Sequence, residues 1–229
     1  MADLFQSILS IDKDLFVFLN GFHSSFWDNF FWLFSGKFTF LLFYIALIYF
    51  VVKTSKWQAV WVLLGVIIVV ALADQTASSL LKPWVQRLRP SHEPSLEGIV
   101  HLFTKKGGGL YRGGLYGFAS SHAANAFGVG TFIALVYRNK FVSSVILAWA
   151  VVTACSRIYL GVHYPLDVLC GGAIGAFFAT ATYLTALKTN LITKKQPVAA
   201  IDAYIVSGAL LFTVIIFLFF GSQLALYAK

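Results

Sequence analysis

The chain has 229 residues, of which 59% are hydrophobic and only 11% are charged, with a mean hydropathy of +0.80. Globular domains in water carry about 25% charged residues. This composition therefore excludes a water-soluble or disordered chain, and two cysteines are too few for a disulfide scaffold. The net charge is +8, and the charged residues lie between apolar runs. This distribution disfavours nucleic acid as a partner. It favours the lipid bilayer and phosphorylated lipids.

The N-terminal stretch, residues 4–34, mixes many aromatic side chains with polar ones such as Asp12, Asn20 and Asp28. Such a mixture is typical of helices that lie in the headgroup region of a membrane. It lacks the basic start and the small-residue cleavage site of a signal peptide. We therefore expect one or two interfacial helices that are retained in the folded protein.

Six nearly uncharged runs follow, each near the roughly 20 residues that cross a bilayer as a helix. They are residues 38–52, 57–73, 113–137, 141–156, 168–187 and 203–228. The second is expected to continue past Asp74 towards Leu81. Continuous apolarity disfavours a barrel. The predicted fold is all-α: a polytopic membrane bundle of about six transmembrane helices, or five if the last run lies elsewhere, with N-terminal interfacial helices.

This pattern predicts three parts: an N-terminal interfacial segment (1–37), a catalytic membrane core (38–188), and a loop with an additional helix (189–229). The loops after the first, third and fifth runs carry lysine and arginine and would share the cytoplasmic side. The long loop 82–112 on the other side carries six basic residues, against this orientation by simple count. Recruitment of basic residues to a site would explain the excess.

Crossing parity places the polar clusters on one membrane face. No run separates Lys82 and Arg89 from His122, and two runs separate His122 from Arg157 and His163. The chain therefore returns to the same side between the two histidines. All these groups can meet at one surface.

The first cluster is residues 82–90. Lys82 and Arg89 can donate to phosphate oxygens, and a guanidinium can bind two at once. The alternative is a basic helix end whose side chains snorkel to the interface. Pro90 is expected to end this helical element.

The second cluster, residues 119–122, opens an apolar helix. Ser120 is either a simple N-cap or part of an anion site made by free N–H groups at the helix start. His122 in the first turn would then stand beside the anion as a proton donor.

The third cluster is residues 156–167. Pro165 fits the first position of a helix, which places Asp167 in its first turn. Asp167 either complements the helix dipole or fixes the tautomer of His163, so that one ring nitrogen is free to attack. Arg157 would bind the same phosphate from the preceding helix.

Together the three clusters form a set for phosphoryl transfer: cations for the oxygens, a nucleophile and a proton donor. Beyond Asp167, only Glu93 and Glu97 stand near them on this face, too few carboxylates for a two-metal site. We therefore expect neither a metal nor another cofactor.

The motifs Lys82-x6-Arg89-Pro90, Ser120-x-His122 and Ser156-Arg157-x5-His163-x3-Asp167 resemble the type 2 phosphatidic acid phosphatase superfamily, over residues 57–187. Its members include bacterial undecaprenyl-diphosphate phosphatases and lipid A phosphatases. The second motif departs from the family's Pro-Ser-Gly-His, because Ala119 and Ser121 replace the proline and the glycine. Ser121 would narrow the pocket or add a hydroxyl donor, which bears on substrate choice.

The resemblance implies that His163 attacks phosphorus to give a phosphohistidine, that Asp167 orients it, and that His122 protonates the departing oxygen. It also implies a set of groups that hold the phosphoryl oxygens. These are Lys82, Arg89, Ser120, Arg157 and the backbone N–H of Ser121.

The expected activity is metal-independent hydrolysis of a lipid phosphate or diphosphate, on the periplasmic face of a bacterial inner membrane. Undecaprenyl diphosphate is ranked first, with lipid A, phosphatidate and phosphatidylglycerol phosphate next. A lipid-to-lipid phosphotransferase and a non-catalytic lipid-phosphate binding or transport protein remain alternatives.

Two further expectations concern the long loop. Residues 91–117 either cover the site, with Lys105, Lys106 or Arg112 at a second phosphate, or form a solvated basic loop. His92 and His101 are expected to face solvent.

Overall fold

The computed structural model describes residues 2–36, 38–193, 196 and 198–225. Within these ranges the chain is helical, and pairing between extended segments is limited to two isolated bridges. This confirms the all-α fold. The α-helices, in chain order, are α1 Ala2–Asn20, α2 Ser25–Phe34, α3 Leu41–Ser55, α4 Ala59–Asp74, α5 Lys82–Val85, α6 Ser121–Tyr137, α7 Lys140–Tyr159, α8 Pro165–Lys188 and α9 Ala200–Leu224.

Four of the described segments are long and apolar enough to cross a membrane: Leu41–Val85, Lys140–Tyr159, Pro165–Lys188 and Ala200–Leu224. The first has 45 residues, more than twice the roughly 20 that one crossing needs. A turn at Lys56–Gln58 divides it, and α4 packs back against α3. The protein is therefore a multi-pass membrane protein. The count of six stays a prediction, because α6 is not among these segments.

The third predicted run, residues 113–137, becomes a helix only from Ser121 onwards. The residues before it are held by backbone pairing with the end of the first cluster. The N–H of Arg89 donates to the carbonyl of Leu115 (3.1 Å), and the N–H of Gly117 donates to the carbonyl of Arg87 (2.9 Å). Because of this pairing, residues 113–120 do not extend α6 by a further two turns. The apolar character of the run gave no sign of it.

The helical stretch that follows α4 also ends differently from the prediction. It continues past Asp74 as expected, through a π-helix at Gln75–Leu81 into α5. It stops at Val85 rather than at Pro90, because Gln86 adopts a left-handed conformation (φ 52°). The extended backbone beyond it places Arg87 and Arg89 on one side, since alternate side chains of an extended chain share a face.

Small residues let α6 and α8 touch through their backbones. A Cβ atom on Gly175 would lie 2.0 Å from the carbonyl oxygen of Ala124, and one on Gly171 would lie 2.3 Å from that of Ser120. Small residues at such positions are what close helix packing in membranes requires. This contact fixes the start of α6 against the start of α8, where the second and third clusters lie.

The N-terminal segment forms two helices, α1 and α2, which pack on the bundle rather than apart from it. Asn20 at the end of α1 donates to the carbonyl of Tyr159 (2.8 Å). The expectation that His101 faces solvent is wrong: its Nε2 lies 2.8 Å from Asp28 Oδ1, and its ring stacks on His23. Only the docking of α2 brings Asp28 to this loop.

Candidate active site

His163 lies in the turn between α7 and α8 with 1% of its surface exposed. Its Nδ1 is 3.4 Å from Asp167 Oδ2, and its Nε2 is 3.0 Å from Nη1 of Arg89. An ionised carboxylate can only accept a hydrogen bond, which assigns the proton to Nδ1. The Nε2 lone pair then accepts from the Arg89 guanidinium.

The surroundings of His163 keep its ring neutral. Burial, followed by the positive charges of Arg89, Arg157 and Lys82, holds the pKa of His163 well below its usual 6.5. Burial and like charges both disfavour the imidazolium form. A neutral imidazole is the form that can act as a nucleophile.

Asp167 stands in the first turn of α8, which begins at Pro165 as predicted. Its Oδ2 accepts from the backbone N–H of Tyr164 (3.0 Å) and faces His163. The same carboxylate thus caps its helix and contacts the histidine. The two interpretations of Asp167 are therefore compatible.

Two residues that the sequence analysis did not assign complete this network. Arg87 donates through Nη1 to Asp167 Oδ1 (3.1 Å) and through Nη2 to Asp12 Oδ2 (2.7 Å). Asp12 Oδ1 also accepts from the backbone N–H of Leu166 at the start of α8 (2.8 Å). Arg87 lies two residues before Arg89, and this spacing could have indicated that both arginines face the site. No sequence pattern links Asp12 to the site, because Asp12 lies in α1, far along the chain from residues 87 and 167.

Gly117 closes this network from the side of the loop. A Cβ atom here would lie 2.8 Å from Asp167 Oδ2 and 3.6 Å from His163 Nδ1. Any larger residue would therefore displace the carboxylate or the ring. The glycine lets the backbone approach the pair.

Arg157, in the last turn of α7, is 2% exposed. It donates through Nη2 to the Tyr111 hydroxyl (2.8 Å) and through Nη1 to the hydroxyl of Ser35 at the end of α2. Its Nε is buried and has no hydrogen-bond partner among the residues that the structure describes. Tyr111 and Ser35, which the sequence did not indicate, thus hold the guanidinium in place without using its Nε–H.

The second cluster lies beside these groups. Ser120 occupies the N-cap position of α6, but its side chain makes no capping hydrogen bond. Its Oγ is buried and lacks a partner within the described part of the chain, so Ser120 holds the N-cap position without a side-chain cap. Lys82 Nζ lies 3.5 Å from Ser121 Oγ, one residue before His122.

An apolar cavity of about 590 Å³ begins at Ser121 and His122 and continues between α3, α4, α6 and α7. Along α6 its lining extends from Ser121 to Ile133, which is about 18 Å at 1.5 Å per residue. Phe40, Phe43, Leu47, Val66 and Trp149 contribute to the apolar walls. The second cluster therefore borders a space whose length and apolar walls suit a lipid chain.

The long loop is fastened at its base. Arg112 donates to the carbonyl of Ser91 (2.8 Å), and the Ser91 hydroxyl donates back to the carbonyl of Arg112 (2.7 Å). Lys105 Nζ lies 5.5 Å from the centre of the Tyr111 ring. The loop thus reaches Arg157 through Tyr111. Among the described residues, no group of three or more His, Cys, Asp or Glu side chains could hold a metal ion.

These features define a membrane protein with buried arginines around a buried histidine, and with an apolar cavity between its helices. A family model described as the PAP2 superfamily matches residues 58–191. The chain belongs to this superfamily.

Curated relatives agree with this assignment. The chain is 36% identical over 187 residues to the lipid A 4'-phosphatase of Bacteroides thetaiotaomicron, covering 81% of each chain. It is 36% identical over 179 residues to the lipid A 4'-phosphatase of Porphyromonas gingivalis, covering 78% of this chain and 74% of the relative. The protein is therefore an enzyme of the lipid phosphatase class.

A solved structure supports the fold. The crystal structure of Aquifex aeolicus LpxE matches with a TM-score of 0.53 at 23% identity, covering 74% of this chain and 92% of that one. At this identity the likeness concerns the fold alone. It agrees with the arrangement of the membrane helices.

Proposed function

We propose that the protein releases phosphate from a membrane lipid through a phosphohistidine on His163, without a metal ion. The observation that carries this proposal is the environment of His163. Its ring is buried and neutral, with Nδ1 towards Asp167 and Nε2 towards Arg89. A neutral ring held through Nδ1 leaves Nε2 to attack phosphorus once a phosphoryl oxygen takes over the Arg89 donor.

In the first step the Nε2 lone pair of His163 forms a bond to phosphorus. The bond between phosphorus and the lipid oxygen breaks, and protonated His122 gives its proton to that oxygen. In the second step, water attacks phosphorus and His122 takes its proton back. The P–N bond then breaks, which returns the electron pair to Nε2 and releases inorganic phosphate.

Lys82, Arg89, Arg157, Ser120 and the N–H of Ser121 would hold the phosphoryl oxygens. Ser120 Oγ and Arg157 Nε are both buried without a partner among the described residues. Buried donors of this kind are costly unless something accepts from them. A phosphoryl oxygen would satisfy both.

The proposed substrate is lipid A carrying a 4'-phosphate, ahead of undecaprenyl diphosphate. This reverses the order of the sequence-based ranking, because two relatives that align over more than three quarters of this chain are named lipid A 4'-phosphatases. Phosphatidate and phosphatidylglycerol phosphate follow. The proposed location is the inner membrane, with the site on its periplasmic face.

The test is phosphate release from these four lipids by the purified enzyme in detergent, with His163→Ala as the background. We expect the highest kcat/KM with lipid A 4'-phosphate, no loss on chelation of divalent ions, and inhibition by vanadate. Release from none of the four lipids would overturn the proposed hydrolysis. A rate restored only by one added metal would overturn the metal-free mechanism.

A further inference from the structure

The mostly apolar wall of the cavity contains a carboxylate. Asp74 ends α4 at the junction with the π-helix Gln75–Leu81 and lines the cavity. Ionisable groups within membrane-crossing segments are costly to keep and usually serve a function. Single π-helical turns often mark functional sites as well. We therefore looked for a function of Asp74 in its contacts.

Asn125 stands opposite Asp74 on α6. Its Nδ2 donates to Asp74 Oδ1 (3.4 Å), and it lines the same cavity. It follows His122 by three residues, so the two side chains share one face of the helix. At 1.5 Å per residue the pair lies about 4.5 Å deeper than the histidine.

The pair carries a hydrogen-bond acceptor that no described group uses. A carboxylate can only accept, so the Asn125 amide must turn its nitrogen to Asp74. Its Oδ1 is then left as an acceptor, and this atom is buried with no partner in the described part of the chain. A buried acceptor without a donor is unfavourable.

Building on the proposed function, we propose that Asp74 and Asn125 form a subsite for a lipid chain that carries a hydrogen-bond donor close to its headgroup. The donor would be an amide N–H or a hydroxyl, as on an amide-linked hydroxyacyl chain. An isoprenoid chain carries no such donor and would leave Asn125 Oδ1 unsatisfied. The subsite therefore selects acylated amino sugars over isoprenoid diphosphates.

The competing explanation is structural. The negative charge of Asp74 acts on Lys82, so the pair could simply support that lysine. A supporting role would affect every phosphorylated lipid equally. A subsite would affect only lipids that carry the donor, which makes the ratio between two lipids the informative quantity.

The experiment measures equilibrium binding of two lipids to the His163→Ala protein, which removes turnover from the readout. The probes are lipid A 4'-phosphate, with amide-linked hydroxyacyl chains, and undecaprenyl diphosphate. Adding Asn125→Leu should reduce the preference for lipid A about tenfold, the effect of one lost hydrogen bond. Asp74→Asn should move the ratio in the same direction. Val129→Leu, an apolar change in the same cavity, should leave the ratio within about twofold.

An unchanged ratio in Asn125→Leu, or an equal loss for both lipids, would overturn the subsite. Asn125→Ala provides the same comparison if the leucine variant does not fold. Because binding does not depend on hydrolysis, this outcome is distinct from failure of the proposed function. That failure would appear as wild-type protein releasing no phosphate.

Discussion

The two ends of the helical bundle handle charge in opposite ways. At the site end Arg87 joins Asp12 to Asp167, and both carboxylates are almost fully buried. At the other end, where α3 turns into α4, Lys53 is half exposed and reaches Asp202 at 3.0 Å. The neighbouring contacts there are neutral, such as that between Ser55 and Tyr137 (2.9 Å).

The difference in burial between these ion pairs indicates where a charge can influence the reaction. An ion pair with an exposed partner is screened by water and contributes little. Buried charges are costly to separate, and they act strongly on their neighbours. The site end therefore holds its groups in fixed positions, and the following changes test this contrast from the largest expected effect to the smallest.

Replacing His163 with alanine should abolish turnover, with a loss of at least about 1,000-fold in kcat, because the nucleophile is removed. The measurement is phosphate release from lipid A 4'-phosphate. His92→Ala is the matched control, since it changes a partly exposed histidine of the long loop and should retain activity. A His163→Ala enzyme within tenfold of wild type would contradict the nucleophilic role.

Replacing Arg87 with methionine should reduce kcat about 100-fold while KM changes little, because Asp167 loses the group that positions it. Breaking a buried ion pair also costs about 3 kcal/mol of stability, which a lower Tm in detergent would report. Arg138→Met removes an exposed arginine that follows α6 and is the control. Equal kinetic losses in both variants would argue against a specific role for Arg87.

The His163 imidazole should remain neutral down to well below pH 6.5, because burial and the nearby cations lower its pKa. Since the folded-state pKa is depressed, the neutral form is present above that lowered value and is lost only as the pH falls through it. The measurement is an NMR titration of labelled histidine, with the resonance assigned by its loss in His163→Ala. A midpoint at or above 6.5 would contradict the described environment.

Replacing Lys53 with methionine should leave kcat and KM unchanged, because this exposed lysine lies at the other end of the bundle. The same phosphate-release assay measures this. A loss comparable to that of Arg87→Met would show that the two ends are coupled and would remove the contrast between them.

Much of the fold and of the candidate site could be predicted from the sequence. The helical membrane class followed from composition, and the start of α8 followed from Pro165. Crossing parity brought His163, Arg89 and Lys82 to one face. These predictions succeeded because hydrophobic length and helix-start chemistry are local properties.

Other features could not be predicted because their partners are distant in the sequence. Asp12, Ser35 and Tyr111 reach the site residues only through the docking of α1, α2 and the long loop. His101 was assigned to solvent for the same reason, since its partner Asp28 belongs to α2. The late start of α6 depended on backbone pairing with residues 87–89.

The sequence by itself determined that this chain is a helical membrane protein with phosphoryl-transfer motifs, because apolar length and motif spacing are written along the chain. Only the tertiary structure decided which side chains contact the motif residues and which residues line the cavity beside them. Burial and hydrogen bonding depend on neighbours in space, as the placement of Asp12 beside Arg87 and of Asn125 beside Asp74 makes plain.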